Sequence, residues 1–227
     1  IPAAELIIND AVISSNGQNK IAITKLVLTT SYLSIFSDKI AIKAVGIENS
    51  QVNLTTLQNL ESVFKGSKVQ GSQLKLKEID LVNFDFIINP EANFLGSISG
   101  ITGKLKFKSD EEKELSFAGS FAVNGTLYKI NAYFYSEQTR DPTSSNLRIY
   151  NDFLDFDFSG NLINKNGYDL IGKAILKLKP SSRLDVEDTN PILLALLKDN
   201  LEIKSDLSMT QGQVGFNNVS LTSSNIN

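Results

Sequence analysis

Histidine and cysteine do not occur in the 227 residues. Without histidine the chain lacks the usual general base near neutral pH and the commonest metal ligand. Without cysteine it lacks thiol nucleophiles, thiolate ligands and any disulfide. Most enzyme classes are set aside with them, although the missing cysteine identifies no compartment. Charge of one sign is scarce too. Twenty-two basic residues against 25 acidic ones give a net charge of −3, and no Lys or Arg run is interleaved with aromatics, so nucleic acid is not an expected partner. Long apolar runs are also absent. The longest, Ile192 to Leu197, is far short of the roughly 20 residues that a membrane-spanning helix needs. A chain opening on Ile1 rather than methionine reads as a fragment from which any signal or anchor would have been removed.

What is present is alternation. Hydrophobic residues make up 41% and charged residues 21%, enough for a core and too apolar for disorder. Lys104-Leu105-Lys106-Phe107-Lys108, Asp155-Phe156-Asp157-Phe158 and Leu201-Glu202-Ile203-Lys204-Ser205-Asp206-Leu207 alternate with period two, Ser205 taking an apolar slot. Charges on every second residue leave one wet face and one apolar face, which predicts antiparallel sheet rather than a parallel α/β arrangement. The segment from Leu33 to Leu54 reads as a strand through Ile40 and Ile42, a break at Gly46 and at Asn49-Ser50, and a second strand through Val52 and Leu54. The parity of the apolar residues slips where Ile21 and Ile23 give way to Leu26 and Leu28, and where Leu74 and Leu76 give way to Ile79 and Leu81. A bulge or bend is expected at each.

Two short helices are expected. Leu57, Leu60 and Phe64 recur at helical spacing within Thr55 to Lys65, ahead of Gly66. Asn190 and Pro191 suit the cap and first turn of a helix running to Lys198, apolar nearly all round. An internal echo accompanies the strands. Phe117-Ala118-Gly119-Ser120-Phe121, a turn at Asn124-Gly125 and a strand through Tyr128, Ile130 and Ala132 are matched by Phe158-Ser159-Gly160-Asn161-Leu162, a turn at Asn166-Gly167 and a strand through Tyr168, Leu170 and Gly172. Asn-Gly favours the positive φ values of a tight hairpin. The loop-like stretch Ser136 to Leu147 is the expected exposed connection, and a possible place to subdivide what is otherwise one domain over residues 1–227.

Candidate chemistry is sparse. Asp152, Asp155 and Asp157 are close in sequence, as an acid-base pair or a divalent-ion site requires, but Asp155 and Asp157 alternate with Phe156 and Phe158 as a solvated strand face does. Asp110 to Glu114 reads as a charged hairpin tip without the glycine and spacing of a calcium loop. Ser62-Val63-Phe64-Lys65 matches the bare pattern of a lysine-assisted serine nucleophile, with no supporting second motif. No catalytic residue, metal or cofactor is expected. The apolar positions Phe84, Phe86, Leu105, Phe107, Tyr128, Ile130, Phe134, Phe156, Phe158, Leu176 and Leu178 would together coat one face of a wide sheet. That face is either the core of a closed sandwich or barrel, which composition alone favours, or an open surface that receives acyl chains.

The Leu33 to Leu54 pattern, the Thr55 to Phe64 segment and the glycine-rich hairpin of Gly96 to Gly103 resemble the AsmA family of bacterial envelope proteins, with relatives such as TamB. So do the Phe-x-Gly units at Phe117 and Phe158 and the closing stretch from Gln211 to Leu221. The resemblance implies a mostly β chain, an extended curved antiparallel sheet forming an apolar groove with one or two short helices, exposed to the periplasm and held at the inner membrane by an anchor. It further implies lipid transport or outer-membrane biogenesis without catalysis, phospholipid acyl chains as partners, and the eleven apolar positions above as the groove lining. A surface or secreted β-repeat scaffold with a closed core is the alternative.

Overall fold

The computed structural model describes residues 3–15, 19–31, 42–53, 77–87, 97–108, 112–137, 143–164, 168–180, 199–210 and 213–223. Nearly all of them lie in strands and none lies in a helix. The strands are β1 (Ala3–Ser15), β2 (Asn19–Ser31), β3 (Ile42–Glu48), β4 (Gln51–Asn53), β5 (Glu78–Ile87), β6 (Ser97–Lys108), β7 (Glu112–Val123), β8 (Thr126–Glu137), β9 (Thr143–Tyr150), β10 (Leu154–Asn164), β11 (Tyr168–Leu178), β12 (Leu201–Thr210) and β13 (Gln213–Ser223). The mostly β, antiparallel expectation therefore holds. Both expected helices, Leu74 and Leu76, and Asn166-Gly167 lie outside the described residues. The chain divides into two compact units, one of Ile1–Lys108 with Phe117–Tyr128, the other of Ser109–Ser116 with Lys129–Asn227.

In the first unit the ladder runs β1-β2-β3-β5-β6, with β4 beside β2 and β5. It is antiparallel except where β3 and β4 run parallel to β5. The Asn49-Ser50 break is thus not a reversal. The chain continues in the same direction across it, and the ladder is carried through by Asn49 N–H donating to Val82 O (2.9 Å) and Asp85 N–H donating to Ser50 O (2.8 Å). Gly46 is no break either, since it sits inside β3 between Val27 and Asp80. Period-two patterning reports which face a residue takes and is silent on the direction of the neighbouring strand.

The parity slip in β2 extends along the whole of this ladder. The apolar face steps by three residues instead of two from Ile8 to Ala11, Ile23 to Leu26, Ile47 to Ser50, Leu81 to Phe84 and Ile98 to Ile101. Cross-strand pairing keeps the two sides of the step in line: Ile8, Leu26, Ile47 and Leu81 follow one another, as do Ala11 with Ile23 and Phe84 with Ile101. Four residues at the step take left-handed φ: Asp10 (54°), Asn49 (50°), Asn83 (51°) and Gly100 (59°). Asx residues and glycine bear that conformation at least cost. The register between β5 and β6 shifts twice, first by one extra residue on β5 and then by one on β6, so that the second bulge cancels the first. Hydrogen bonds stitch the step together. Asn83 Nδ2 donates to Asn49 Oδ1 (2.9 Å), Thr24 Oγ1 to Asn49 O (2.7 Å), and Gly100 N–H to Asp85 Oδ1 (2.8 Å). Because the strands from β1 to β5 skip together, Ala11, Leu26, Ile47 and Phe84 all remain packed around buried Ile23 and Val52.

In the second unit β8 from Lys129 onward is followed by β9, β10, β11, β12 and β13 in chain order, each antiparallel to the next. Its cluster of Phe158, Ala174 and Leu207, with Leu147, Phe156 and Leu170 against it, is drawn from neighbouring strands of this one ladder. Of the stretch Ser136 to Leu147, expected as a connection, Ser136 and Glu137 end β8 and Thr143 to Leu147 lie in β9, because serine and threonine on alternating positions fit a pleated strand as readily as a loop, while residues 138–142 between the two strands lie outside the described residues.

Candidate functional site

Two Phe-x-Gly units organise the apolar faces. Gly160 pairs directly with Gly172, and the two backbones come so close that a methyl group on Gly172 would lie 2.5 Å from Gly160 Cα and 2.8 Å from Phe158 Cζ. The ring of Phe158 thus lies across the glycine pair and covers backbone that has no side chains of its own. Gly103 and Gly119 repeat this in the first unit under Phe117: a methyl on Gly103 would meet Gly119 Cα at 2.7 Å and Phe117 Cζ at 2.9 Å. The echo seen in the sequence is therefore an aromatic lid over paired glycines. Its partner strand differs, however, since Gly119 uses the strand before it and Gly160 the strand after it. At the first copy's tip, Asn124 (φ 49°) and Gly125 (φ 77°) form the expected tight turn.

Six of the eleven candidate positions share one face of the second unit. Ile130, Ile149, Phe156, Leu176, Ile203 and Leu221 are successive cross-strand partners from β8 to β13, an unbroken apolar row. Beside it run Ala132, Leu147, Phe158, Ala174 and Ser205, then Phe134, Ser145, Gly160, Gly172, Leu207 and Phe216. Leu178 pairs with Leu154 and Leu201 at the end of the same face. Most of these side chains are half-buried. Phe158 is 3% exposed, so its ring belongs to the floor. Ser145 adds a hydroxyl to this floor, 1% exposed and without a hydrogen bond among the described residues. No second sheet packs on this face within the unit among the described residues.

The other five candidates belong to the first unit. Phe84 and Phe86 lie on β5, with Phe84 against the Ile23 and Val52 cluster. Leu105 pairs with Ile79, and Tyr128 stacks on Phe121 with ring centroids 5.5 Å apart. Phe107 N–H donates to Lys77 O (2.8 Å), extending β6 alongside β5. Sequence reasoning missed Leu147, Ile149, Ile203 and Leu221, which complete the rows. Their alternation was visible, but Leu147 was masked by the polar stretch before it.

The opposite face of the second unit is ionic. Arg148 grips Asp155 through Nε (2.9 Å) and Nη2 (2.7 Å), reaches Asp157 at 3.6 Å, and lies over the Tyr150 ring at 4.9 Å. The guanidinium bond pulls the Asp155 carboxyl below the ordinary carboxylate range, and in return raises Arg148. Lys204 (2.6 Å) and Lys177 (3.7 Å) flank Glu202 and, chiefly through the Lys204 bond, lower its pKa. The aspartates weighed as an acid-base pair are thus engaged by an arginine. Among the described residues no cluster of three metal-ligating side chains occurs, and no helix is long and apolar enough to cross a membrane. Asp110, Glu111 and the Ser62 to Lys65 motif lie outside the described residues.

The first unit carries a feature that the sequence did not announce. A cavity of about 490 Å³ opens on its charged face, lined by Ile7, Val27, Ala44, Gly46 and Val82, with Glu5, Lys25, Glu48, Asp80 and Lys104 around it. Its cations are already matched: Lys25 to Glu48 (2.9 Å) and Lys104 to Asp80 (2.8 Å) and Glu78 (2.9 Å), and the latter contacts raise the Lys104 pKa. No protein-family model, no curated protein and no solved structure matches the chain.

Proposed function

We propose that this chain is part of an AsmA-like envelope protein whose apolar sheet face shields acyl chains in transit between membranes, with the whole protein periplasmic and tethered to the inner membrane. The observation that supports the reading is the six-strand row from Ile130 to Leu221, backed by ionic pairs on the reverse face and left without a second sheet among the described residues. A lipid tail entering water exposes CH₂ groups at about 0.8 kcal/mol each, so a tail of about sixteen carbons meets a barrier near 12 kcal/mol. An apolar track lowers that barrier without a catalytic group, and the ionic reverse face keeps the sheet in solution. The burial of Phe158, Ala174 and Leu207 favours a second reading, a β-repeat scaffold with a closed core. Native mass spectrometry of delipidated protein mixed with phospholipid separates them: retained lipid supports the carrier, and failure to retain any supports the scaffold.

A further inference from the structure

We infer that Ser145 is the polar anchor of the second unit's apolar face, its hydroxyl donating to the ester carbonyl of a bound acyl chain. The inference rests on the acyl-carrier reading and adds to it the chemical group by which a tail is recognised. Ser145 lies in β9, inside the ladder, opposite Phe134 of β8 and Gly160 of β10. It is 1% exposed, and its Oγ is the one buried side-chain polar atom among the described residues with no hydrogen bond. Buried Ser50, in contrast, donates to Glu48 O (2.9 Å). Burying a hydroxyl without a partner costs stability, and alanine would fill the same position at no such cost. A serine there is explained by an acceptor that arrives with a ligand.

The floor around Ser145 is built from small residues. Gly160 and Gly172 pair directly on the two strands beyond it, and Ala132 and Ala174 take places in the neighbouring row. They leave a furrow beside the bulky row through Ile149, Phe156 and Leu176. One ring covers its centre, since Phe158 Cζ lies over the glycine pair. Because the glycines carry no side chains, turning that ring off them opens the floor beside Ser145 without moving the backbone. The furrow then offers a methylene chain apolar contacts and a single hydroxyl donor. A plain hydrocarbon has no acceptor for that donor, and an ether lacks the carbonyl oxygen. The ester carbonyl, at the junction of tail and headgroup, is the acceptor that a glycerolipid brings. A buried donor left unpaired penalises the ligand that lacks its partner, so the hydroxyl discriminates by linkage and not by headgroup.

The test uses the whole 227-residue chain, delipidated and offered an equimolar mixture of dipalmitoyl phosphatidylcholine and its di-O-hexadecyl ether analogue. The two lipids share headgroup and tail length and differ only in the carbonyls. Native mass spectrometry should show the ester lipid retained at least about fivefold over the ether. Ser145→Ala should erase that preference while still retaining both lipids at the ether level. The lipid-free variant should also melt about 2–4 °C above the parent, because it loses an unpaired buried hydroxyl. Equal retention of the two lipids by the parent, or an ester preference that survives in Ser145→Ala, would overturn the anchor and leave the carrier reading standing. A Ser145→Ala melt below the parent's would mean that the hydroxyl is already bonded in the lipid-free protein, and would likewise overturn it. Retention of neither lipid would overturn both the anchor and the carrier reading.

Discussion

The two units solve the same problem, keeping an apolar face in line across many strands, by different local means. In the first, every strand of the ladder skips one residue, at a common level from β1 to β5 and one pair further along in β6, and left-handed Asp10, Asn49, Asn83 and Gly100 absorb the step. In the second, the alternation runs unbroken from β8 to β12 and skips only at Asn218 on β13. There the unusual backbone geometry is a close approach of Gly160 and Gly172 beneath Phe158. The first unit has a close approach of its own, Gly103 and Gly119 beneath Phe117, so the comparison teaches that it adds a conformational step to the backbone proximity common to both units, and that a glycine's own surroundings decide what a methyl group costs. Substitutions that add the same methyl group should therefore have unequal effects.

The sharpest contrast is between glycines. Gly172→Ala would force a methyl into Gly160 Cα and the Phe158 ring, and should cost about 2–3 kcal/mol in chemical denaturation. Gly46→Ala in the first unit would meet Val27 Cβ at 3.3 Å and should cost less than about 1 kcal/mol. Equal losses would erase the distinction. Next in size is Asn83→Ala, which loses the amide bond to Asn49 and places alanine at φ 51°, at a cost of about 1–2 kcal/mol. Asn83→Gly should recover most of that loss, and if it does not, the conformational account of the step is wrong.

The smallest effect belongs to the ionic face. Asp155→Asn should cost about 0.5 kcal/mol near neutral pH, as exposed pairs do. The Arg148 bond lowers the folded-state pKa of Asp155. Its contribution is therefore complete above the ordinary carboxyl range and is lost as pH falls through the lower folded value. The variant should show a shallower loss of stability below about pH 4 than the parent. Identical acid limbs would mean that the pair contributes nothing.

Much of this fold was legible because charge alternation fixes strand faces residue by residue. K-L-K-F-K and D-F-D-F lie where they were read, and the slip after Ile23 marked a real irregularity. Direction was not legible. The parallel course of β3 and β4 along β5 leaves the same period-two trace as a hairpin would, so Asn49-Ser50 read as a punctuation and not as a step within a continuing line. The common side of Ile130, Phe134, Phe156, Phe158, Leu176 and Leu178 was legible in the alternation of their strands. The rows through Ile149, Ile203 and Leu221 were not, because register is set by pairing between strands and sequence shows each strand alone. The charged-face cavity of the first unit was invisible for the same reason.

The chain contains no tryptophan, which allows one face to be queried at a time. Single tryptophans in Leu176→Trp and Lys177→Trp would sit on opposite sides of β11, the first in the apolar row between Phe156 and Ile203 and the second beside Glu202. With phospholipid carrying brominated acyl chains, the Leu176→Trp fluorescence should be quenched and the Lys177→Trp fluorescence should not. Quenching that is absent from both, or equal in the two, would mean that the apolar face takes no acyl chain.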